Sequence, residues 1–328
     1  MESRASRPAF PCAFFLSAQS AARVFSLREA LSHHQRSCGD GRPRPSKPSK
    51  ARQALGRHRR DLRVILSVVI ITHNEEANID RTLASVQPLV ADGKGEIILV
   101  DSGSTDRTVE IAESYGAQVF IEEWKGYAAQ KNSAIDHAAG DWILSLDADE
   151  EVERGLANDI DDATHGRVPV DSTERPFVAF RIPRKNLFLG RWIKHGGFWP
   201  DPKLRLFRRG AARFEMRAVH EDAQLIEGIS GKFKNAILHH SYPTLADYID
   251  HMNRYSSLGA EMAIAKGHRR FSLFNIVLRP LATFIYNYFF RLGFLDGREG
   301  LLLHLYHAVY VSWKYAKAWE LARQRPSR

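Results

Sequence analysis

The segment WILSLDADEEV, residues 142–152, runs from apolar side chains straight into Asp147, Asp149, Glu150 and Glu151. No Lys or Arg lies inside this cluster, so it repels itself unless a cation or solvent sits there. Carboxylate oxygens on a short turn suit hard cations such as Mg²⁺ or Mn²⁺. If the chain stays extended, alternation puts Asp147 and Asp149 on one side, where both can face one ion or its bound water. Taken alone, such a pair is as readily a solvated acidic turn. Glu150 and Glu151 are expected to open the next helix, where negative charge is favoured.

Two more polar clusters carry possible chemistry. In DSGSTD, Asp101 can accept hydrogen bonds from a base N–H or from ribose hydroxyls. Gly103 permits close backbone approach, and the helix that follows presents an N-terminus to anions. The same residues also satisfy a plain Asx turn and helix cap, with Ser104 or Thr105 as the capping residue. THNEE places Thr72, Asn74 and Glu75 after an apolar run. Lys131 shares a helix face with Tyr127 and Ala134 and can reach a phosphate, pair with the acidic cluster or face solvent. No GxGxxG or P-loop pattern occurs from Val64 onward, which removes the main support for a dehydrogenase or P-loop enzyme.

These clusters need a scaffold that brings them together, and the pattern supplies one. LSVVIIT, EIILV, AQVFI and DWILSL read as strands, the first a continuous β-branched run fit for burial on both faces. Helical patterns separate them, over NEEANIDRTLASV, STDRTVEIAESYG and GYAAQKNSAIDHAAG. Strand and helix alternating at this spacing predict βαβ units and an α/β fold with a mostly parallel sheet. Ligands of such sheets bind outside the carboxyl ends of the strands. THNEE, DSGSTD and DADEE all fall there. Beyond Val152 the pattern is mixed: residues 153–175 read as a helix and a polar connection, and residues 177–210 as a partly antiparallel extension. TLAD at 244–247 has capping-box spacing at the head of an amphipathic helix.

The chain has 328 residues and a net charge of +9, with 14 Lys/Arg against 4 Asp/Glu in residues 1–63 and 33 against 34 in the rest. The basic character therefore belongs to the N-terminal stretch, and a nucleic-acid-binding body is disfavoured. Cys12 and Cys38 lie in that stretch too, so the remainder has neither a disulfide framework nor a Cys-ligated zinc site. Residues 1–63 read as a disordered, dispensable extension, with a transit peptide as the other reading. Toward the C-terminus an aromatic-rich stretch is broken by Arg279, Arg291, Asp296, Arg298 and Glu299, and no apolar run approaches the roughly 20 residues that span a bilayer. Such helices suit a membrane interface, or else pack on the rest of the protein.

Taken in order, SVVIITHNEE, LVDSGSTDRTVEIA and KGYAAQKNSAIDHAAGDWILSLDADEEV closely resemble the family 2 glycosyltransferases over roughly residues 65–155. DPKLRLFRRG, VHED and GFLDGREGLLLHLYHAVYVSWKYAKAWE are similar to the lipopolysaccharide core biosynthesis members. The resemblance implies a GT-A nucleotide-sugar-binding domain over residues 64–243, followed by a C-terminal helical, membrane-associating region, 244–328. It implies an inverting, metal-dependent transferase of a UDP-hexose onto a lipid-linked or lipopolysaccharide-core acceptor, peripheral on the cytoplasmic face of the inner membrane. Thr72, Asn74, Glu75, Asp101, Ser102, Gly103 and Lys131 would line the nucleotide site. Asp147 would sit by the ribose or sugar, and Asp149, with Asp147, would hold the divalent cation. In VHEDAQL, Glu221 would be the base that deprotonates the acceptor, with Asp222 as the alternative and His220 orienting it; the match to the family's Glu-Asp pattern is imperfect there. A DxD phosphatase of the haloacid-dehalogenase type is disfavoured, because its nucleophilic Asp follows the first strand, where this chain has THNEE. A non-catalytic sugar-nucleotide-binding scaffold is the other alternative. Arg205 and Arg208 are read as phosphate contacts or ordinary strand surface charge, and adjacent His239 and His240 as facing opposite sides of a strand.

Overall fold

The structure, a computed structural model, describes residues 64–167, 175–215 and 222–324; the expected extension 1–63 lies outside them. Strand β1 (Leu66–Thr72), helix α1 (Glu76–Val90), β2 (Gly95–Asp101), α2 (Thr108–Ser114), β3 (Gln118–Ile121), α3 (Tyr127–His137) and β4 (Trp142–Asp147) follow the predicted alternation. Every residue of β1 is buried, and its side chains serve two cores in turn. Val68 and Ile70 share one with Ile79, Leu83 and Val86 of α1; Val69 and Ile71 share the other with Ala134 and Ile135 of α3. Period-two alternation in a strand covered on both faces requires apolar residues at every position, which is why LSVVIIT is unbroken. Truncating fully buried Ile70 to Ala costs about 2–5 kcal/mol.

The chain continues through β5 (Glu150–Val152), α4 (Arg154–Thr164), β6 (Ala179–Ile182), β7 (Arg184–Phe188), β8 (Arg191–Trp192) and β9 (Lys203–Arg208). Then come β10 (Ala212–Phe214), β11 (Ala223–Leu225), β12 (Ser230–Lys232) and β13 (Ile237–Tyr242). The main sheet has the order β12-β6-β9-β4-β1-β2-β3. β1 to β4 are parallel, as is the β6–β12 pair, while β9 runs antiparallel to both β4 and β6. A second sheet, β5-β13-β7-β8, stands beside it. This is the expected α/β architecture with its antiparallel extension. Glu150 and Glu151 do not open a helix as expected: they form β5, because β13 pairs with them and Glu150 is fully buried.

Helix α5 (Leu245–Ala265) starts with the predicted capping box, in which Thr244 and Asp247 bond each other's backbone N–H. A helical stretch with two π turns, Phe274–Leu278 and Tyr286–Phe290, flanks α6 (Arg279–Ile285), and α7 (Gly297–Gln324) closes the chain. Pro280 offers no N–H to the helix, and Ile276 O accepts instead from Ser312 Oγ of α7 at 2.8 Å. These helices share a core with the second sheet: Phe188, Ile193 and Tyr242 pack with Tyr248, Met252 and Leu303. Asp296 adds polar ties, accepting from the backbone N–H groups of Lys194 and His195 and lying 2.9 Å from His195 Nδ1.

Candidate active site

The pairing of β1 with β2 sets Thr72 opposite Asp101, and its pairing with β4 sets Ile71 opposite Asp147. Three adjacent strands thus end at one level, bringing the three sequence-predicted clusters to one edge. Around Asp101 they interlock. Its Oδ1 accepts from the N–H groups of Gly103 and Ser104 at 2.9 and 2.7 Å, and its Oδ2 from the hydroxyls of Thr72 and Ser104 at 2.8 and 2.5 Å. Ser102 returns both its N–H and its hydroxyl to Thr72 O, and Gly103 takes the positive φ of +86° that the turn demands. Asp101 is fully buried, and four donors from the two loops hold it there.

The neighbouring loop is fastened the same way. Asn74, at φ +55°, donates its N–H to Ser104 Oγ and accepts from Thr105 N at 2.8 Å each, and Glu75 donates its N–H to Thr108 Oγ1 at 2.8 Å. Glu75 is buried and accepts from Asn78 Nδ2. The expected caps of α2, Ser104 and Thr105, serve this loop junction instead. Asp106 takes the capping role, accepting from the N–H and hydroxyl of Thr108 and from Glu76 N.

At the end of β4 the chain does not stay extended. Ala148 and Asp149 form a turn in which Asp147 N donates to Glu150 Oε2 at 3.0 Å and the buried Thr82 hydroxyl of α1 clasps Ala148 O at 2.7 Å. The turn gives the two aspartates different surroundings. Asp147 accepts from Lys131 Nζ at 2.6 Å and from Arg205 Nη2 at 2.5 Å, so the pairing reading of Lys131 is the one observed. Arg205 also donates to Glu150 Oε1 at 2.6 Å; Arg184 reaches Glu150 at 3.3 Å and Asp201 at 2.6 Å. Arg205 is therefore neither a surface charge nor an open phosphate contact: it is 3% exposed, between β4 and β6. Burial by itself raises the Asp147 pKa, but Arg205, then Lys131 and Arg184, outweigh it and hold the carboxyl well below its ordinary range. Lys131, Arg205 and Arg184, with Lys203 3.4 Å from Asp201 as a fourth cation, thus face three carboxylates, and this answers the self-repulsion of Asp147 and Glu150.

Asp149 stands outside that balance. It is 5% exposed, and its Oδ2 has no hydrogen-bond donor. His239 Nε2 lies 3.3 Å away, because β13 pairs antiparallel with β5 and sets His239 opposite Glu150. Asn186 bonds its amide nitrogen to Phe198 O, which turns Asn186 Oδ1 toward His239 Nδ1 at 2.8 Å. Ser241 Oγ lies 2.7 Å from the same Nδ1. With the proton on Nδ1 and bonded to Asn186, Nε2 turns a lone pair toward the bare Asp149 oxygen, and the two acceptors call for a proton or a cation between them; with Nδ1 accepting from Ser241, Nε2–H faces Asp149 instead. The Asp149 carboxylate fits a hard divalent cation, since Mg²⁺ sites commonly take one or two carboxylates and complete themselves with substrate phosphates and water, while the His239 imidazole suits a softer ion better. Among the described residues, no group of three His, Cys, Asp or Glu is placed to hold a metal ion. His240 points the other way, toward Glu151 at 3.1 Å. The sequence separates the two histidines correctly, and for that reason gives no ground to choose either as a metal ligand; nothing in HHSY reveals that β13 pairs beside Asp149.

Glu221 and His220 lie outside the described residues. Asp222 precedes β11 and makes a half-exposed pair with Arg181 at 3.4 Å.

The profile described as Glycosyl transferase family 2 matches residues 67–212. The chain is 31% identical over 272 residues to an uncharacterised glycosyltransferase of Rickettsia felis, a match covering 80% of this chain and 90% of that protein. It is 28% identical over 262 residues to the lipopolysaccharide core biosynthesis glycosyltransferase LpsC of Rhizobium meliloti, covering 78% and 92% respectively. Among solved structures it is similar to the mannosyltransferase PcManGT of Pyrobaculum calidifontis in complex with GDP-Man and Mn²⁺. That match is 18% identical with a TM-score of 0.42, over 81% of this chain and 77% of that one.

Proposed function

Because this chain belongs to glycosyl transferase family 2, we propose that it transfers a hexose from a UDP-hexose donor to a lipid-linked or lipopolysaccharide-core glycan, with inversion at the anomeric carbon. One observation carries the reading of the site. At the strand edge shared with Asp101, a balanced ion network immobilises Asp147 and leaves Asp149 with a bare, buried carboxylate oxygen facing His239.

Thr72, Asn74, Glu75, Asp101, Ser102 and Gly103 form the nucleotide end of the site. A base N–H reaching Asp101 would replace a hydroxyl on Oδ2, where both donors, Thr72 and Ser104, can rotate away. Lys131 acts on the donor through Asp147, whose carboxylate it and Arg205 orient toward the ribose or sugar. Asp149 and His239 would hold a divalent cation, which supplies positive charge against the charge that grows on the departing diphosphate. The acceptor hydroxyl oxygen attacks the anomeric carbon from the face opposite the diphosphate. The carbon–oxygen bond to the diphosphate breaks with its electron pair, and the acceptor proton passes to a carboxylate. Glu221 is assigned that proton, with Asp222 as the alternative and His220 as its positioning residue. We assign the reaction to a membrane surface, on the cytoplasmic face of the inner membrane; a lipid-linked acceptor and the exposed apolar side chains of the helices after Thr244 support that reading.

The test is nucleoside diphosphate release by purified protein from a panel of sugar nucleotides, with and without a lipid-linked glycan, beside Asp149→Ala. Acceptor-dependent release that this variant lacks supports the assignment. Undiminished release by Asp149→Ala in chelator removes Asp149 from it.

A further inference from the structure

We infer that the helical surface from Phe271 to Leu305 is a docking face for an anionic lipid bilayer, entered by its apolar side chains and held by a rim of arginines. Fifteen large apolar side chains in this stretch are more than a third exposed, including Phe290 at 75% and Leu273 at 64%. At about 200 Å² for a fully exposed large side chain, the stretch presents on the order of 1,000 Å² or more of apolar surface. The largest apolar patch on an ordinary soluble monomer is roughly 300–600 Å². Phe274, Leu278, Leu281, Ile285 and Phe289 recur every three or four residues and so share one outward face of the helical run. The opposite face is anchored: Pro280 and Asn287 are buried, and Ile276 O is bound by Ser312.

Charge identifies the occupant. From Lys266 to Arg298 the exposed charged side chains are Lys266, Arg269, Arg270 and Arg298, all cationic. Of the two acids between Phe271 and Leu305, Asp296 is 2% exposed and bonded to the Lys194–His195 backbone, and the part-exposed Glu299 is paired with Arg191 at 3.6 Å. An apolar centre whose exposed charges are all basic complements a surface whose interior is hydrocarbon and whose headgroups are negative. A second copy of this chain fits less well, because two-fold pairing of the patch sets basic rim against basic rim. Spanning is not in question, since no helix among the described residues is long and apolar enough to cross a membrane. Most of the face lies on the stretch tied to α7 through Ser312, and Leu303 of α7 shares a core with β7 and β13, so docking fixes the bilayer relative to the Asp149–His239 edge. The inference deepens the transfer reading above, on which it rests for an acceptor that is lipid-linked.

Co-sedimentation of the full chain with vesicles of phosphatidylethanolamine and phosphatidylglycerol, against pure phosphatidylcholine, tests it. Wild-type protein is expected to favour the anionic vesicles at least tenfold and to lose much of that preference in 0.5 M NaCl. Leu273→Asp with Phe290→Asp should lower binding tenfold or more, with circular dichroism and melting temperature unchanged. Arg269→Ser with Arg270→Ser should abolish the preference while leaving the weaker binding to phosphatidylcholine. Equal binding by the Asp double variant overturns the inference. So does a wild-type dimer in light scattering that the double variant splits without loss of vesicle binding, which assigns the face to a second copy. Soluble donor turnover in the same samples separates the two claims: vesicle binding without turnover overturns the transfer reading alone, and turnover without binding overturns this one alone.

Discussion

Replacing Arg205 with Met removes the one side chain that bonds Asp147 and Glu150 together. Glu150, fully buried, keeps Arg184 at 3.3 Å as its cation beside the Asp147 N–H, and Asp147 keeps Lys131 as its cation. Removing one partner of a buried charge pair costs about 3–5 kcal/mol, because the other charge stays desolvated. Against a total stability of about 5–15 kcal/mol, that is a large share, and it lowers the melting temperature by roughly 10 °C. Chemical denaturation at pH 7 reads it directly. The loss should be smaller at pH 5: a carboxylate deprived of its cation binds a proton more readily when folded than when unfolded, so the variant gains relative stability as pH falls. Adding Glu150→Gln should recover part of the loss, giving a coupling of about 1–3 kcal/mol in the double-mutant cycle. A cost below 1 kcal/mol for Arg205→Met, or strict additivity with Glu150→Gln, would refute the network as the reason the acidic turn is stable.

Asp149→Asn should keep wild-type stability or exceed it, since the lost charge had no donor on Oδ2, while transfer falls by about 10²-fold or more; denaturation and turnover on one preparation check both. Asp222→Asn should change stability by less than about 1 kcal/mol, because its pair with Arg181 is half exposed. Glu221→Gln should stop turnover yet retain donor binding by calorimetry, and an inactive Asp222→Asn beside an active Glu221→Gln would transfer the base assignment. Gly196 has φ +66°, and a Cβ there would run into the His304 ring, so Gly196→Ala should cost more than about 2 kcal/mol, read as earlier proteolysis of the C-terminal helices. Burial holds His304 and His307 down to about 4 and about 3, in His307 with help from the charges of His304 and Lys314. Their folded values lie below the unfolded one, so this stability is complete above pH 6.5 and is lost as pH falls toward 3. His307→Leu should flatten that acid limb by about 1.4 kcal/mol per pH unit.

The parallel half of the fold was legible because burial on both faces leaves a plain record, as the unbroken run of β1 and the helical spacing of Ile79, Leu83 and Val86 show. The convergence of Thr72, Asp101 and Asp147 followed from topology alone. What stayed hidden was which residues pair across long separations. KLRLFR reads as a strand with one polar face, yet insertion of β9 between β4 and β6 buries Arg205 beside two carboxylates. Arg184 carried no signal, since its partners Glu150 and Asp201 lie in other segments. The alternation argument for a shared ion failed at Ala148, where a turn sends Asp147 toward Lys131 and Asp149 toward His239. His239 itself depends on the pairing of β13 with β5, which no local pattern encodes.

The central claim is transfer of a sugar from a nucleotide donor to a glycan. Product analysis by mass spectrometry and NMR, on purified chain incubated with UDP-hexoses and a lipid-linked or lipopolysaccharide-core acceptor, tests it most directly. The expected result is an acceptor heavier by one hexose with the anomeric configuration inverted, one nucleoside diphosphate released per transfer, and neither product with Asp149→Ala. Release of inorganic phosphate with no sugar on the acceptor, or an unchanged donor across the whole panel, would contradict it.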